Sequence, residues 1–233
     1  MTYQGLAQQW RYTVNMEKLV AYLMETDVLA APEIIAAFRA VDRKDFVPTE
    51  YRAEAYGDYP LPIGFGQTIS QPTTVAFMLE LLAPRVGDRA LDVGSGSSWT
   101  TALLAQIVGS GGTVFGIERI PELVRLGQQN LAKYHFPHAS IAPAGESLGR
   151  SEATSLAPRR PAPRRSFSGS FSGPAPSKVG EFDRILVSAA APQLPQELLE
   201  QLRIGGVLVI PIQNAVWKVM RESETENSIE KFE

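Results

Sequence analysis

Apolar side chains near the start of the chain recur at helical steps. Met16, Leu19, Val20, Leu23 and Met24 fall three or four residues apart or side by side, as do Ile34, Ile35, Phe38 and Val41, so residues 1–47 read as helical. Pro32 stands where a second helix would begin, a place where its missing N–H costs little, and Pro48 stands just past the end. From Tyr56 to Pro72 the texture changes to glycine, proline and aromatic residues, which predicts a long loop. Long loops in compact domains are disproportionately functional. Helical periodicity returns over 73–82. Beyond it, short apolar runs alternate with helical patterns: strands over 89–93, 113–117, 140–142, 182–188 and 207–211, and helices over 99–108, 121–134 and 195–202. That alternation predicts an α/β fold with a doubly wound, mostly parallel sheet, preceded by a helical extension.

One stretch breaks the pattern. Residues 151–180 hold five Pro, seven Ser and three Gly, with Arg159-Arg160 and Arg164-Arg165 in pairs. Its charge is +4 (four Arg and one Lys against Glu152), which leaves −7 for the remainder of a chain whose net charge is −3. So little apolar surface cannot offset the entropy of ordering, and the stretch reads as a disordered surface insertion.

Composition removes whole classes of chemistry. Lys plus Arg total 22 against 25 Asp plus Glu, which excludes a strongly basic nucleic-acid binder. The absence of cysteine excludes disulfides, thiolate zinc sites, iron–sulfur clusters and cysteine nucleophiles. His135 and His138 flank Phe136-Pro137 and read as exposed loop residues, not metal ligands, while Trp10 and Trp217 read as packing residues. No segment reaches the roughly 18 apolar residues that a membrane helix needs. Met1-Thr2-Tyr3-Gln4-Gly5 lacks the basic and apolar regions of an export signal, so the expectation is a soluble, cytoplasmic protein.

Candidate chemistry gathers at the turn after the strand at 89–93. Asp92-Val93-Gly94-Ser95-Gly96 brings backbone and a helix N-terminus close to a ligand, and Glu118 ends the next strand, where an acidic residue accepts hydrogen bonds from ribose hydroxyls. A structural tight turn has the same glycine spacing, but the turn and Glu118 in register favour a nucleoside. Trp99 occupies the position where a dinucleotide fingerprint wants a small residue. S-adenosyl-L-methionine has no phosphate and tolerates that bulk, and its ammonium group would welcome a nearby carboxylate or backbone carbonyls. The methyl donor is therefore the preferred ligand.

The chain also carries Arg43-Lys44-Asp45-Phe46-Val47-Pro48, then Tyr56, Asp58 and Pro60-Leu61-Pro62-Ile63-Gly64, then Gly66-Gln67-Thr68-Ile69-Ser70-Gln71-Pro72. Further on come Ile117-Glu118-Arg119, Phe182-Asp183-Arg184-Ile185, Ala189-Ala190-Ala191-Pro192 and Gly205-Gly206. In content and order these resemble the protein-L-isoaspartate O-methyltransferases. The resemblance implies a Rossmann-like class I methyltransferase fold, with helices and substrate loop over 1–72 and a cofactor-binding core over 73–233. It also implies methyl transfer to the carboxylate of L-isoaspartyl residues in damaged proteins and peptides, whose ester collapses to a succinimide and partly returns to aspartate. By that likeness Ser70 is catalytic, orienting the acceptor carboxylate; a helix cap for the segment at Thr73 is the competing role. Gln67, Thr68, Ile69 and Ala190 would hold substrate. Thr73, Asp92, Gly94, Ser95, Gly96, Glu118, Arg119 and Glu146 would hold S-adenosyl-L-methionine. A monomer is expected, with no nucleic acid, membrane or metal involved.

Four features depart from the family pattern, one being the insertion at 151–180, which falls in a connection the family keeps short. Ser98 replaces a third motif glycine, and Ala144-Gly145-Glu146 sets the adenine-side acid one position away. The strand at 217–220 is followed by an acidic stretch, so a final apolar strand that would complete a β-hairpin is expected to be missing. Two rivals stay open: a methyltransferase of the same fold with another acceptor and, on the strength of those departures, an inactive, truncated homologue that binds cofactor weakly or acts only as a binding module.

Overall fold

The computed structural model describes residues 15–144 and 181–233; Trp10, Glu146 and the expected insertion at 151–180 lie outside the described residues. Helix α1 (Met16–Glu25) starts at Asn15, whose side chain accepts from the Lys18 N–H, and buries Met16, Leu19, Val20 and Leu23 on one stripe. Helix α2 (Pro32–Ala40) has proline in its first turn and buries Ile34, Ile35 and Phe38. Helix α3 (Pro72–Leu82) ends at Ala83, which takes a left-handed conformation. Helix α4 (Trp99–Val108) has the bounds its periodicity predicts and is buried on nearly every side. It receives Phe38 of α2 edge-on against Trp99, with ring centroids 5.5 Å apart.

Among the described residues one seven-stranded sheet forms the centre. Its first five strands, β3 (Arg89–Val93), β4 (Thr113–Glu118), β5 (Ala139–Pro143), β6 (Phe182–Val187) and β7 (Leu202–Ile212), pair in parallel. They follow a short hairpin, β1 (Leu61–Gly64) and β2 (Gln67–Ile69). β8 (Ala215–Arg221) pairs antiparallel with β7 and with β9 (Asn227–Phe232), giving the order β5-β4-β3-β6-β7-β8-β9. Side chains alternate across the sheet as strand geometry demands. Ala90, Val114 and Leu186 face the helices α1 to α4, while Leu91, Phe115 and Ile185 face a second cluster that includes Leu198 and Leu199 of α6 (Gln196–Gln201). Helix α5 (Pro121–Leu131) adds Leu123 and Val124 to the first cluster. The strand order reverses at β3, which leaves a crevice at the carboxyl ends of β3, β4 and β6.

The structure departs from the sequence reading in five places, the first being β7, which begins at Leu202 rather than at 207 and runs through Gly205 and Gly206. The expected loop at 56–72 contains the β1–β2 hairpin, paired Leu61 to Ile69. The expected helix at 121–134 stops at Leu131 and tightens into a 3-10 turn over Ala132–Tyr134 before His135 turns left-handed at φ 52. His138 is half-buried, its ring nitrogen 2.9 Å from the Ala105 carbonyl, so it is a packing residue rather than an exposed one. The acidic stretch after β8 is a turn that leads into a further strand: β9 closes the hairpin, with Phe232 edge-on to Phe77 of α3 and the Lys231 ammonium 4.0 Å from the Trp217 ring centroid.

Candidate active site

The segments that lead into and out of the β1–β2 hairpin are tied together by one buried cation. Arg43 is fully enclosed, its guanidinium 5.3 Å from the Trp99 ring centroid. One terminal nitrogen donates to the carbonyls of Ala55 and Gly57 at 2.8 and 3.1 Å, the other to those of Tyr59 and Ser70 at 3.0 Å each. Burial lowers the pKa of this guanidinium to about 10, so it stays charged at neutral pH. Asp58 fixes the chain on the other side of Ser70: its carboxylate accepts from the Thr73 N–H at 2.9 Å, the Thr73 hydroxyl at 2.7 Å and the Gln71 amide at 3.1 Å. The amide that a capping Ser70 would have satisfied therefore belongs to Asp58, and Gln71 occupies the N-cap position of α3. At the hairpin tip Gly64, Phe65 and Gly66 all have positive φ, and Phe65 is exposed.

Facing the hairpin is the turn between β3 and α4. Gly94 and Ser95 donate their N–H groups to the Ile117 carbonyl, and Gly96 donates to Glu118 Oε2 at 3.0 Å. A Cβ on Gly94 would lie 3.0 Å from that of Ala189, and one on Gly96 would lie 3.1 Å from Ile63. Both glycines also have positive φ, so backbone rather than side chain forms the wall here. Glu118 is buried at the end of β4, its other oxygen accepting from the Ile120 N–H at 2.9 Å.

These parts enclose a cleft of about 530 Å³, within the range of small-molecule sites. Of the residues singled out in the sequence, Gln67, Thr68 and Ser70 line it from β2 and the segment after it, and Ala190 from the loop after β6. Gly94, Gly96, Glu118 and Arg119 line it from the turn and β4. Ile69 and Ser95 line a smaller adjoining recess that shares Thr68 and Ser70 with the cleft. Two residues stand elsewhere. Thr73 is engaged with Asp58, and Asp92 lies fully buried behind the wall, its carboxylate accepting from the hydroxyls of Thr100, Thr101 and Ser188. Burial pushes the Asp92 carboxyl upward, against the pull of those hydroxyl donors. Glu146 lies outside the described residues. Ser188, which the sequence reading passed over, and Ala189, quoted there only as part of a motif, also line the cleft; the signal for Ser188 was its place directly before Ala189-Ala190-Ala191-Pro192.

A nucleoside joined to an amino acid fits this donor set. Glu118 offers carboxylate lone pairs where ribose hydroxyls would lie, and the glycine wall admits close approach without a steric clash. A model of the protein-L-isoaspartate(D-aspartate) O-methyltransferase family matches residues 14–155 and 175–232. The chain belongs to that family. It is 36% identical over 215 residues to protein-L-isoaspartate O-methyltransferase 1 of Archaeoglobus fulgidus, covering 92% of this chain and 87% of the relative. It is 41% identical over 179 residues to the protein-L-isoaspartate O-methyltransferase of Methanothrix thermoacetophila, covering 77% and 73%. In fold it is similar to a candidate protein-L-isoaspartate O-methyltransferase of Plasmodium falciparum solved in complex with S-adenosyl-L-homocysteine. That superposition has a TM-score of 0.74 at 23% identity and covers 94% of this chain and 95% of the other.

Among the described residues no helix is long and apolar enough to cross a membrane, and no group of His, Asp and Glu could hold a metal ion.

Proposed function

We propose that this family member transfers the methyl group of S-adenosyl-L-methionine to the carboxylate of L-isoaspartyl residues in proteins and peptides. The observation that carries the reading is the meeting of two motifs in one cleft: the Gln67-Thr68-Ile69-Ser70 segment opposite the Gly94–Gly96 turn and Glu118. Bound there, the cofactor supplies an electrophilic methyl on a sulfonium centre. The acceptor carboxylate, with a reference pKa of about 4, is already ionised at neutral pH, so no general base is needed. The protein's task is alignment and exclusion of water. Ser70 donates its hydroxyl proton to one acceptor oxygen, while Arg43 and Asp58 hold the backbone on either side of it. Gln67, Thr68 and Ala190 bound the acceptor space, and Glu118 and Arg119 bound the nucleoside space. A monomer acting in the cytoplasm is part of this proposal.

Isotope-labelled methyl transfer to a peptide with one L-isoaspartate, compared with its L-aspartate twin, tests the proposal. Label on the isoaspartyl peptide alone is the expected result. Equal labelling of both, or of neither, would refute it.

A further inference from the structure

A bulky aromatic residue occupies the place in the β1–β2 hairpin that suits it least. Gly64 pairs with Gln67, so Phe65 and Gly66 are the two central residues of the turn, with φ 54 and 69. A two-residue turn with both central φ positive favours Asn-Gly, because asparagine tolerates the left-handed region and a large side chain does not. No packing offsets that cost: Phe65 is 60% exposed and belongs to neither hydrophobic cluster. The tip stands in open space, since a Cβ on Gly64 or Gly66 would meet nothing within 4 Å. A local conflict that the fold does not compensate internally points to a role outside the fold.

The position of the tip gives that role its direction. Of the six large hydrophobic residues exposed among those described, Phe65 alone is flanked in the chain by cleft-lining residues, Ile63 before it and Gly66 after it. Ile63 is buried against Gly96, and Arg43 ties Tyr59 to Ser70, so the tip is held at a fixed place on the rim of the cleft. From this arrangement we infer that Phe65 sets acceptor specificity: its ring receives an apolar side chain next to the isoaspartyl residue in the acceptor chain. The inference rests on the acceptor reading proposed above. A peptide whose carboxylate is seated at Ser70 must carry its neighbouring residues out of the cleft and over the rim. A phenyl ring there offers apolar area and no hydrogen bond, so it discriminates by what it removes from water.

The test measures methyl transfer to two isoaspartyl peptides that differ only in the residues on either side of the isoaspartate, leucine in one and serine in the other. The parent should show a KM about tenfold lower for the leucine peptide, the worth of partly burying one aromatic ring against an aliphatic side chain. Phe65→Asn should raise the KM of the leucine peptide to that of the serine peptide, with kcat and affinity for S-adenosyl-L-homocysteine unchanged. Phe65→Leu, which keeps apolar area at the tip, should keep most of the preference. Because the turn favours asparagine, Phe65→Asn should melt no lower than the parent, an outcome that a merely structural role would not give. Equal KM values for the two peptides in the parent, or a preference that survives in Phe65→Asn, would overturn the assignment of Phe65 while leaving the acceptor reading standing. A lower Tm with both peptides weakened alike would make Phe65 a structural residue and overturn it too. A parent that methylates neither peptide would overturn both readings.

Discussion

Replacing Arg43 by lysine keeps the charge and most of the volume but halves the reach. The guanidinium spans four carbonyls with two terminal nitrogens, Ala55 and Gly57 on one side and Tyr59 and Ser70 on the other. A single ammonium can serve one pair and must abandon the other. Hydrogen bonds from a charged donor are worth about 1.5–3 kcal/mol each, so losing two removes roughly 3–6 kcal/mol before relaxation. The Tyr59 and Ser70 carbonyls are only partly buried and recover some of that by hydration, which sets the expected loss at about 2–4 kcal/mol. For a protein of this size that corresponds to a fall in Tm of roughly 5–15 °C. The same change frees the backbone beside Ser70, so kcat for methyl transfer should drop while affinity for S-adenosyl-L-homocysteine stays within about twofold of the parent. Thermal and urea unfolding report the first effect; single-turnover transfer and calorimetry report the second. A Tm and a kcat both indistinguishable from the parent's would show that the carbonyl clamp does not hold the acceptor segment.

Ser70→Ala should bind S-adenosyl-L-homocysteine as the parent does, yet slow single-turnover transfer by about 10- to 100-fold at every pH near neutrality; an unchanged rate would remove Ser70 from the chemistry. Ser98 combines a left-handed φ of 75° with a buried hydroxyl that has no hydrogen-bond partner, so Ser98→Gly should stabilise the fold by about 1 kcal/mol, and a lowered Tm would count against that account. Tyr56 donates to Asp42 at 3.0 Å, and burial followed by that hydrogen bond raises its pKa from 10.0 to about 12. Its neutral form is the one favoured in the fold, so its contribution is complete below pH 10 and disappears as the pH rises toward about 12; urea midpoints across that window should fall less steeply in Tyr56→Phe than in the parent.

Local pattern alone determined the elements whose identity is written in neighbouring residues. The helix over Trp99–Val108 and the strand over Arg89–Val93 have the bounds their periodicity predicts, because i,i+4 and i,i+2 repetition is a local property. The β3–α4 turn and Glu118 were legible for the same reason: glycines with positive φ and an acid at a strand end are set by short-range geometry. The β1–β2 hairpin was not, since its Gly- and Pro-rich segment has no strand signature and is held by Arg43 and Asp58 rather than by propensity. Nor was β9, whose mostly polar sequence becomes a strand only through its pairing with β8 and the seat of Phe232 on Phe77. Asp92 shows the limit most clearly. Sequence placed it beside the ligand turn, but the direction of its carboxylate depends on Thr100 and Thr101 in the first turn of α4 and on Ser188 at the end of the neighbouring strand, brought to it only when β3 and β6 pair with Val93 opposite Val187. Position along the chain specified which residue types surround the ligand; long-range strand pairing decided which of their atoms reach it.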